Sequence, residues 1–168
     1  MAAADLNAIR ATLELHLIAG FGANINTQDD NILTGQDGII ILTESPEADT
    51  TPIAFRNTAY KPISSDSFVQ CLVTFGSAPY LTLGSTTNSY NQINGSIEVN
   101  IFTPQGVGPG ANYDLASRVC NLYTREILDG IQVGPPSGPS VVTASQPPAF
   151  FQSTVTVPFN VIEELYRW

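Results

Sequence analysis

Positive charge is scarce in this sequence: 6 Lys and Arg stand against 15 Asp and Glu in 168 residues, for a net charge of −9 at pH 7. Binding nucleic acid means neutralising phosphates with Lys and Arg in numbers that are absent here, so specific nucleic-acid recognition is not expected. Cysteine is nearly missing too. Cys71 and Cys120 are too few for a disulfide scaffold and lack metal-ligand spacing, which predicts buried, reduced thiols with no redox role. The single histidine, His16, cannot build a histidine-rich metal site and reads as an ordinary residue at a helix surface or core edge. No apolar run exceeds four residues, the length of Ile39–Leu42, whereas a bilayer-spanning helix needs ~20. The N-terminus carries neither the basic start nor the apolar core of a secretion signal. The expectation is a soluble, unexported protein with no membrane partner.

What is present suffices for one core. Hydrophobic residues make up 43% of the chain and charged residues 12%, far from the composition of disordered segments, and the length suits a single domain over 1–168. Asp5–Ala19 places Leu6, Ile9, Leu13 and Leu17 at helical intervals before Gly20, which is expected to stop the helix. Phe68–Phe75 alternates as a half-buried strand, with Val69, Cys71, Val73 and Phe75 on one face. Within Gly95–Thr103, Ile97, Val99 and Ile101 point one way and Ser96, Glu98 and Asn100 the other, giving one dry and one wet face. From Pro104 to Gly110 two prolines and three glycines end that strand in a compact turn. A helix over Ala111–Leu128 follows, with Leu115, Val119, Leu122 and Ile127 apolar and Asn112 capping its start.

The remaining segments read more coarsely. Tyr80–Leu83 extends the sheet, and Thr86–Gln92 is a polar stretch without periodicity. Gly134–Pro139 is a rigid turn before a strand at Ser140–Ala144, and Phe150–Pro158 is a closing strand, with Pro158 marking an edge or a strand end. Glu163 and Glu164 read as a solvated, helical chain end. Leu165, Tyr166 and Trp168 need a groove on this subunit or another. Asn24–Thr51 is a loop region holding one strand at Ile39–Leu42. Ile40 and Ile41 are expected at a subunit or tube interface, the alternative being a strand within the core. The element order predicts an α+β fold: two helices laid on one face of a mostly antiparallel sheet.

No arrangement of residues announces catalysis. The lone histidine sits in the first helix, and no Gly-x-Ser-x-Gly elbow exists. Asp29-Asp30 lacks the order of a calcium loop. Gly106-Val107-Gly108-Pro109-Gly110 superficially suggests a phosphate cradle, but Pro109 removes an amide donor and no Lys follows. The expectation is a protein that is not an enzyme and holds no metal or cofactor.

Three blocks resemble the tail terminator, or tail completion, proteins of long-tailed bacteriophages. Ile53-Ala54-Phe55-Arg56-Asn57-Thr58-Ala59-Tyr60-Lys61-Pro62 is similar to that family's apolar, Asn, aromatic and Pro segment before the first core strand. Gly95–Pro104, joined to Gly106–Gly110 and the helix at Leu115-Ala116, resembles its strand, Pro and Gly turn, and helix block. Phe151–Phe159 occupies the place of its final strand. The resemblance covers roughly the first twenty residues, 53–127 and 150–162, and 24–52 looks like an insertion.

The resemblance implies a ring-forming subunit, hexameric in the family, that caps the tail tube, stops its polymerisation and offers a docking face to the head connector. The implied partners are further copies of this chain, the tail tube protein, a head–tail connector or neck protein, and the sheath protein if the tail is contractile. The implied location is the tail and neck of a virion assembled in the host cytoplasm. Asn57 and Tyr60 would brace the segment before the first core strand, and Pro104, Gly106, Gly108 and Pro109 would fix the turn. The same features admit another neck ring, such as a head-completion or portal–tail adaptor protein, or a stand-alone ligand-binding α+β domain.

Overall fold

A computed structural model describes residues 5–21, 51–55, 60–63, 65–82, 89–106, 108–143 and 149–165. Its elements are α1 (Leu6–Phe21), β1 (Ile53–Phe55), β2 (Phe68–Phe75), β3 (Ser89–Pro104), α2 (Gly110–Tyr123), β4 (Ile127–Leu128), β5 (Ile131–Val133), β6 (Ser137–Val142) and β7 (Phe150–Leu165). The expected α+β fold is present: two helices lie on one face of a mostly antiparallel, seven-stranded sheet. The predicted Ile39–Leu42 strand lies outside the described residues.

The sheet is built on β3 and β7, which pair antiparallel from Ser89↔Leu165 to Pro104↔Phe150. β2 flanks β3, and β1 adds to β2 as the one parallel pair. β5 and β6 share the other side of β7, β5 along 159–161 and β6 along 152–156, with β4 outside β5.

Alternation explains how this ribbon makes a core. Val69 and Cys71 of β2, Ile97, Val99 and Ile101 of β3, and Val155, Val157 and Phe159 of β7 all turn to one face. There they meet Ile9, Leu13, Leu17 and Phe21 of α1 and Leu115, Ala116, Val119 and Tyr123 of α2 in one buried cluster. Each large aliphatic side chain buried there contributes about 1.5–3 kcal/mol of transfer free energy. Asp5 caps α1 by accepting from the Asn7 amide through Oδ1 at 2.9 Å.

Several expectations are corrected. The first helix does not stop at Gly20 but runs to Phe21. Gly20 instead lets the helices approach, because a Cβ there would lie 2.5 Å from both methyl carbons of Leu122. The carbonyl of Gly20 accepts from Arg118 Nη2 at 3.0 Å, and the same guanidinium lies 4.7 Å from the centre of the Phe21 ring, closing the helix end.

The second helix ends at Tyr123, not Leu128. Arg125 turns left-handed at φ 61°, and Ile127–Leu128 forms a hairpin with β5 through Asp129 and Gly130, at φ 48° and 82°. Two positive φ values are the geometry that an Asp-Gly pair supplies to a two-residue hairpin. Thr86–Gln92 is not aperiodic throughout, since β3 begins at Ser89. β6 starts at Ser137, inside the stretch read as a rigid turn. Glu163 lies in β7 opposite Asn91, not in a helix.

Pro158 neither ends β7 nor sits on an edge strand. Its carbonyl accepts from the Gly134 amide at 2.7 Å, so its backbone faces away from β3 and toward the joint between β5 and β6. The missing N–H therefore breaks no ladder bond to β3.

Gly95 lies between Phe75 and Phe159 in one cross-strand row, and the two rings meet edge to face at 5.9 Å. A Cβ on Gly95 would collide with the Phe159 ring and stand 2.6 Å from the Thr74 carbonyl oxygen. Gly95→Ala is therefore expected to destabilise the fold by about 1–3 kcal/mol in urea unfolding. Gly106→Ala, where a Cβ meets nothing within 4 Å but φ is +91°, should cost only the backbone strain, about 1 kcal/mol.

Candidate functional site

The turn singled out from sequence closes one end of the β3–β7 ribbon. Pro104 is the last residue of β3, and the next amide, Gln105, donates to the Ala149 carbonyl at 3.2 Å. Gly106 and Gly108 take φ values of 91° and 88°, where a side chain is penalised, and Pro109 is the N-cap of α2 without a side-chain cap bond. Asn112, expected as the cap, lies inside the helix and is fully buried.

Its amide does something else. Asn112 Nδ2 reaches the Ile101 carbonyl at 3.1 Å, Thr103 Oγ1 at 3.4 Å and the Phe151 carbonyl at 3.4 Å, while its Oδ1 accepts from the Ser153 hydroxyl. One side chain thus pins α2 to both central strands. Sequence pattern could flag an Asn near a helix start but not which carbonyls it meets.

On the opposite face of the same end sits an aromatic cluster. Phe68 and Phe102 are cross-strand partners with stacked rings 4.4 Å apart, and Phe150 meets Phe68 edge to face at 5.2 Å. Tyr60 packs against Phe68 at 5.1 Å. Burial, with Asp66 nearby, raises the Tyr60 phenol above its usual pKa. The structure thus brings Tyr60 and the Pro104–Pro109 turn to one end of the sheet. Asn57, Ile40, Ile41, Tyr166 and Trp168 lie outside the described residues.

Between this end and the next, the helix-free face is polar. Gln70, Asn100 and Thr154 form one cross-strand row, and Leu72, Glu98 and Thr156 form the next, with Leu72 the apolar member. Asn100 Oδ1 accepts from Thr154 Oγ1 at 2.6 Å and from Gln152 Nε2 at 3.3 Å, which fixes the orientation of its amide.

At the far end the expected extension of the sheet is present at Tyr80 and Leu81, which bond along β3, while Leu83 lies outside the described residues. Past Gly95 the two long strands continue as an arm, 89–94 against 160–165, and residues 76–82 run along the β3 side of it. Exposed apolar side chains stand at separate points on and beside this arm: Tyr80 (68% exposed) and Leu81 along the β3 side, Ile162 on β7 and, beyond β5, Ile127 (71%) on β4. The Oδ1 of Asn91 is buried there, with no hydrogen-bond partner among the described residues.

The buried ionisable groups lie under the helices instead. Burial, reinforced by Glu14, pushes the Cys71 thiol up to about 12, so it is protonated at neutral pH and a poor nucleophile. The Tyr123 phenol is raised by burial and donates to the Leu13 carbonyl at 2.9 Å. His16 Nε2 lies 3.0 Å from the Leu122 carbonyl, which calls for a proton on Nε2, and its ring meets Tyr123 edge to face. Cys71 is buried as expected, whereas Cys120 is half-buried. Among the described residues no three His, Cys, Asp or Glu gather into a metal-binding group. No helix among them is long and apolar enough to cross a membrane.

No protein-family model and no curated protein matches the chain. A solved structure whose name states no function is similar over 99% of this chain and 99% of its own, with a TM-score of 0.55 and 16% identity. Likeness at that identity carries the fold alone.

Two measurements test this geometry. Asn112→Leu leaves the Ser153 hydroxyl and two strand carbonyls without their partner, and should lower stability by about 2–4 kcal/mol in denaturant unfolding. Ser153→Ala, which removes one of those bonds, should cost less. Burial raises the Glu14 carboxyl above its ordinary 4.5, and this outweighs the opposing pull of Arg10. A raised folded-state value means stability that is fully present below pH 4.5 and declines as pH rises through the folded value. The stability of Glu14→Gln relative to the natural protein should therefore rise across that window in paired melts.

Proposed function

We propose that this protein is a structural virion subunit that assembles into a hexameric ring at the head-proximal end of a phage tail. There it terminates tail tube polymerisation and offers a docking face for the head connector or neck protein. The observation that carries this reading is the asymmetry of the sheet: among the described residues both helices lie on one face and neither on the other, while exposed apolar side chains stand on and beside the far arm. Exposed apolar groups along a sheet margin suit docking of other subunits better than the enclosure of a small substrate. The sequence resemblance supports the same reading, since its strand, Pro and Gly turn, and helix block coincides with the β3–α2 corner that Asn112 pins.

The mechanism is steric and needs no bond chemistry. A heterologous interface closes into a ring when its rotation suits, and a ring seated on the tube end buries the surface on which the next tube ring would dock. Partners are other copies of this chain, the tube protein and the connector, with the sheath protein added in a contractile tail. Six copies of a chain with net charge −9 give the ring a strongly negative charge, which serves solubility and, where it faces the lumen, repels passing DNA.

The test is co-assembly with purified tube protein, read by negative-stain imaging and native mass. The expected result is tubes of limited length bearing a ring at one end. Tubes that grow without limit in its presence, or purified tails that carry the protein only at the baseplate or tip, would overturn the assignment.

A further inference from the structure

The edges of this sheet among the described residues differ in how ready they are to pair, and on β7 past β5, at 162–165, the adjacent Glu163 and Glu164 set negative charge against a second copy. β1 is closed by burial: Ile53 and Ala54 are 3% and 6% exposed. β4 is flanked by Glu126 and Asp129, which on a chain of net charge −9 repel a second copy. Two remain. One is the segment 76–82 along the arm; the other is β6, whose residues from Ser137 to Val141 are exposed.

The first of these has its pairing groups aimed outward. Pro79 accepts from the Gln92 amide at 3.0 Å, and Leu81 donates to the Tyr90 carbonyl at 2.8 Å, so both face β3. Ser77 faces β3 as well, accepting from the Asn94 amide at 3.1 Å. Backbone direction alternates along an extended chain, so the N–H and C=O groups of Ala78 and Tyr80 face away from β3. No hydrogen bond among the described residues reaches them. Pro79 therefore does not blunt this edge, because its missing N–H lies on the inner side.

We propose that the Ala78–Tyr80 edge of one copy pairs with β6 of a second copy. Charge selects that occupant. Gly76–Thr82 and Gly134–Thr143 contain no Asp, Glu, Lys or Arg, although the chain carries 21 such residues. Two copies that repel elsewhere can meet there without setting like charges opposite each other. Length matches too: Pro139 limits regular pairing of β6 to Ser140–Val142, three residues against the three of the arm edge. The two edges lie on opposite sides of the β3–β7 ribbon, so each copy gives one and receives the other. That is a heterologous interface, and only its closure into a ring rests on the function proposed above.

The test is disulfide trapping between Tyr80→Cys and Val141→Cys proteins under mild oxidation. A mixture of the two single variants should give a covalent dimer containing one of each, neither variant alone should, and the double variant should give a ladder. Dimers from Tyr80→Cys alone, or no covalent dimer while native mass shows oligomers, would overturn the edge pairing and leave the ring reading standing. Monomers at every concentration, with no covalent product, would overturn the pairing as well. A trapped ladder from protein that fails to cap tubes would keep the pairing and remove the terminator reading. Tyr80→Pro removes an outward N–H without touching the ladder to β3. It should weaken association about tenfold while circular dichroism and melting stay unchanged, and unaltered association would count against the proposal.

Discussion

The antiparallel pairing of β3 with β7 is the constraint on which the molecule depends. Its length gives β2 a partner over Gly95–Phe102 and gives β5 and β6 a shared partner on the other side. Its alternation divides the sheet into a dry face that takes both helices and a wet face that takes none. Its two ends then become different places: a corner held by a buried amide and an aromatic cluster, and an arm that outruns the helices. A slip of one residue in this pairing would set the apolar row of β7 on the polar face of β3, so that neither face of the sheet stayed dry.

Two residues keep that register and face in place by opposite means. Gly95 contributes an absence, room for the Phe75 and Phe159 rings to meet over the backbone. Asn112 contributes a saturated polar contact inside the dry layer, where an amide without partners would be costly. Both positions depart from the binary pattern of their elements. Each departure is local and is compensated by neighbours from other parts of the chain.

The regular parts of the fold were legible in the sequence where period alone decides. β2 was bounded at Phe68 and Phe75, α1 by its stripe of Ile9, Leu13 and Leu17, and the centre of β3 by Ile97, Val99 and Ile101. What escaped depended on partners distant in sequence. Pro158 reads as a strand end because nothing local in the sequence shows that a gap between β5 and β6 faces its missing amide. Ile127 fitted a helical stripe, although Asp129-Gly130 was available in the sequence as a hairpin signal that outweighs one apolar match. The arm was missed because Tyr90, Gln92 and Asn94 mix with Ile93 too irregularly to show a period of two. At the corner, the turn residues were legible from composition, while the contacts of Asn112 and the packing of Tyr60 on Phe68 needed the strands in register.

β7 lies beside β3 in the middle of the sheet yet stands last in the described chain, so the sheet cannot close until β7 has been made. At about 5–20 residues per second, the apolar stripe of α1 is made on the order of ten seconds before the strand that completes its floor. Through that interval Leu13, Leu17 and Phe21 have no finished core to enter. No N-terminal portion can settle first, since Tyr123 must arrive before its hydroxyl can reach the Leu13 carbonyl, and β7 must arrive before Ser153 can reach Asn112. A nascent chain of this protein therefore stays uncommitted until β7 has emerged, and through that interval the apolar face of α1 has no complete sheet to cover it.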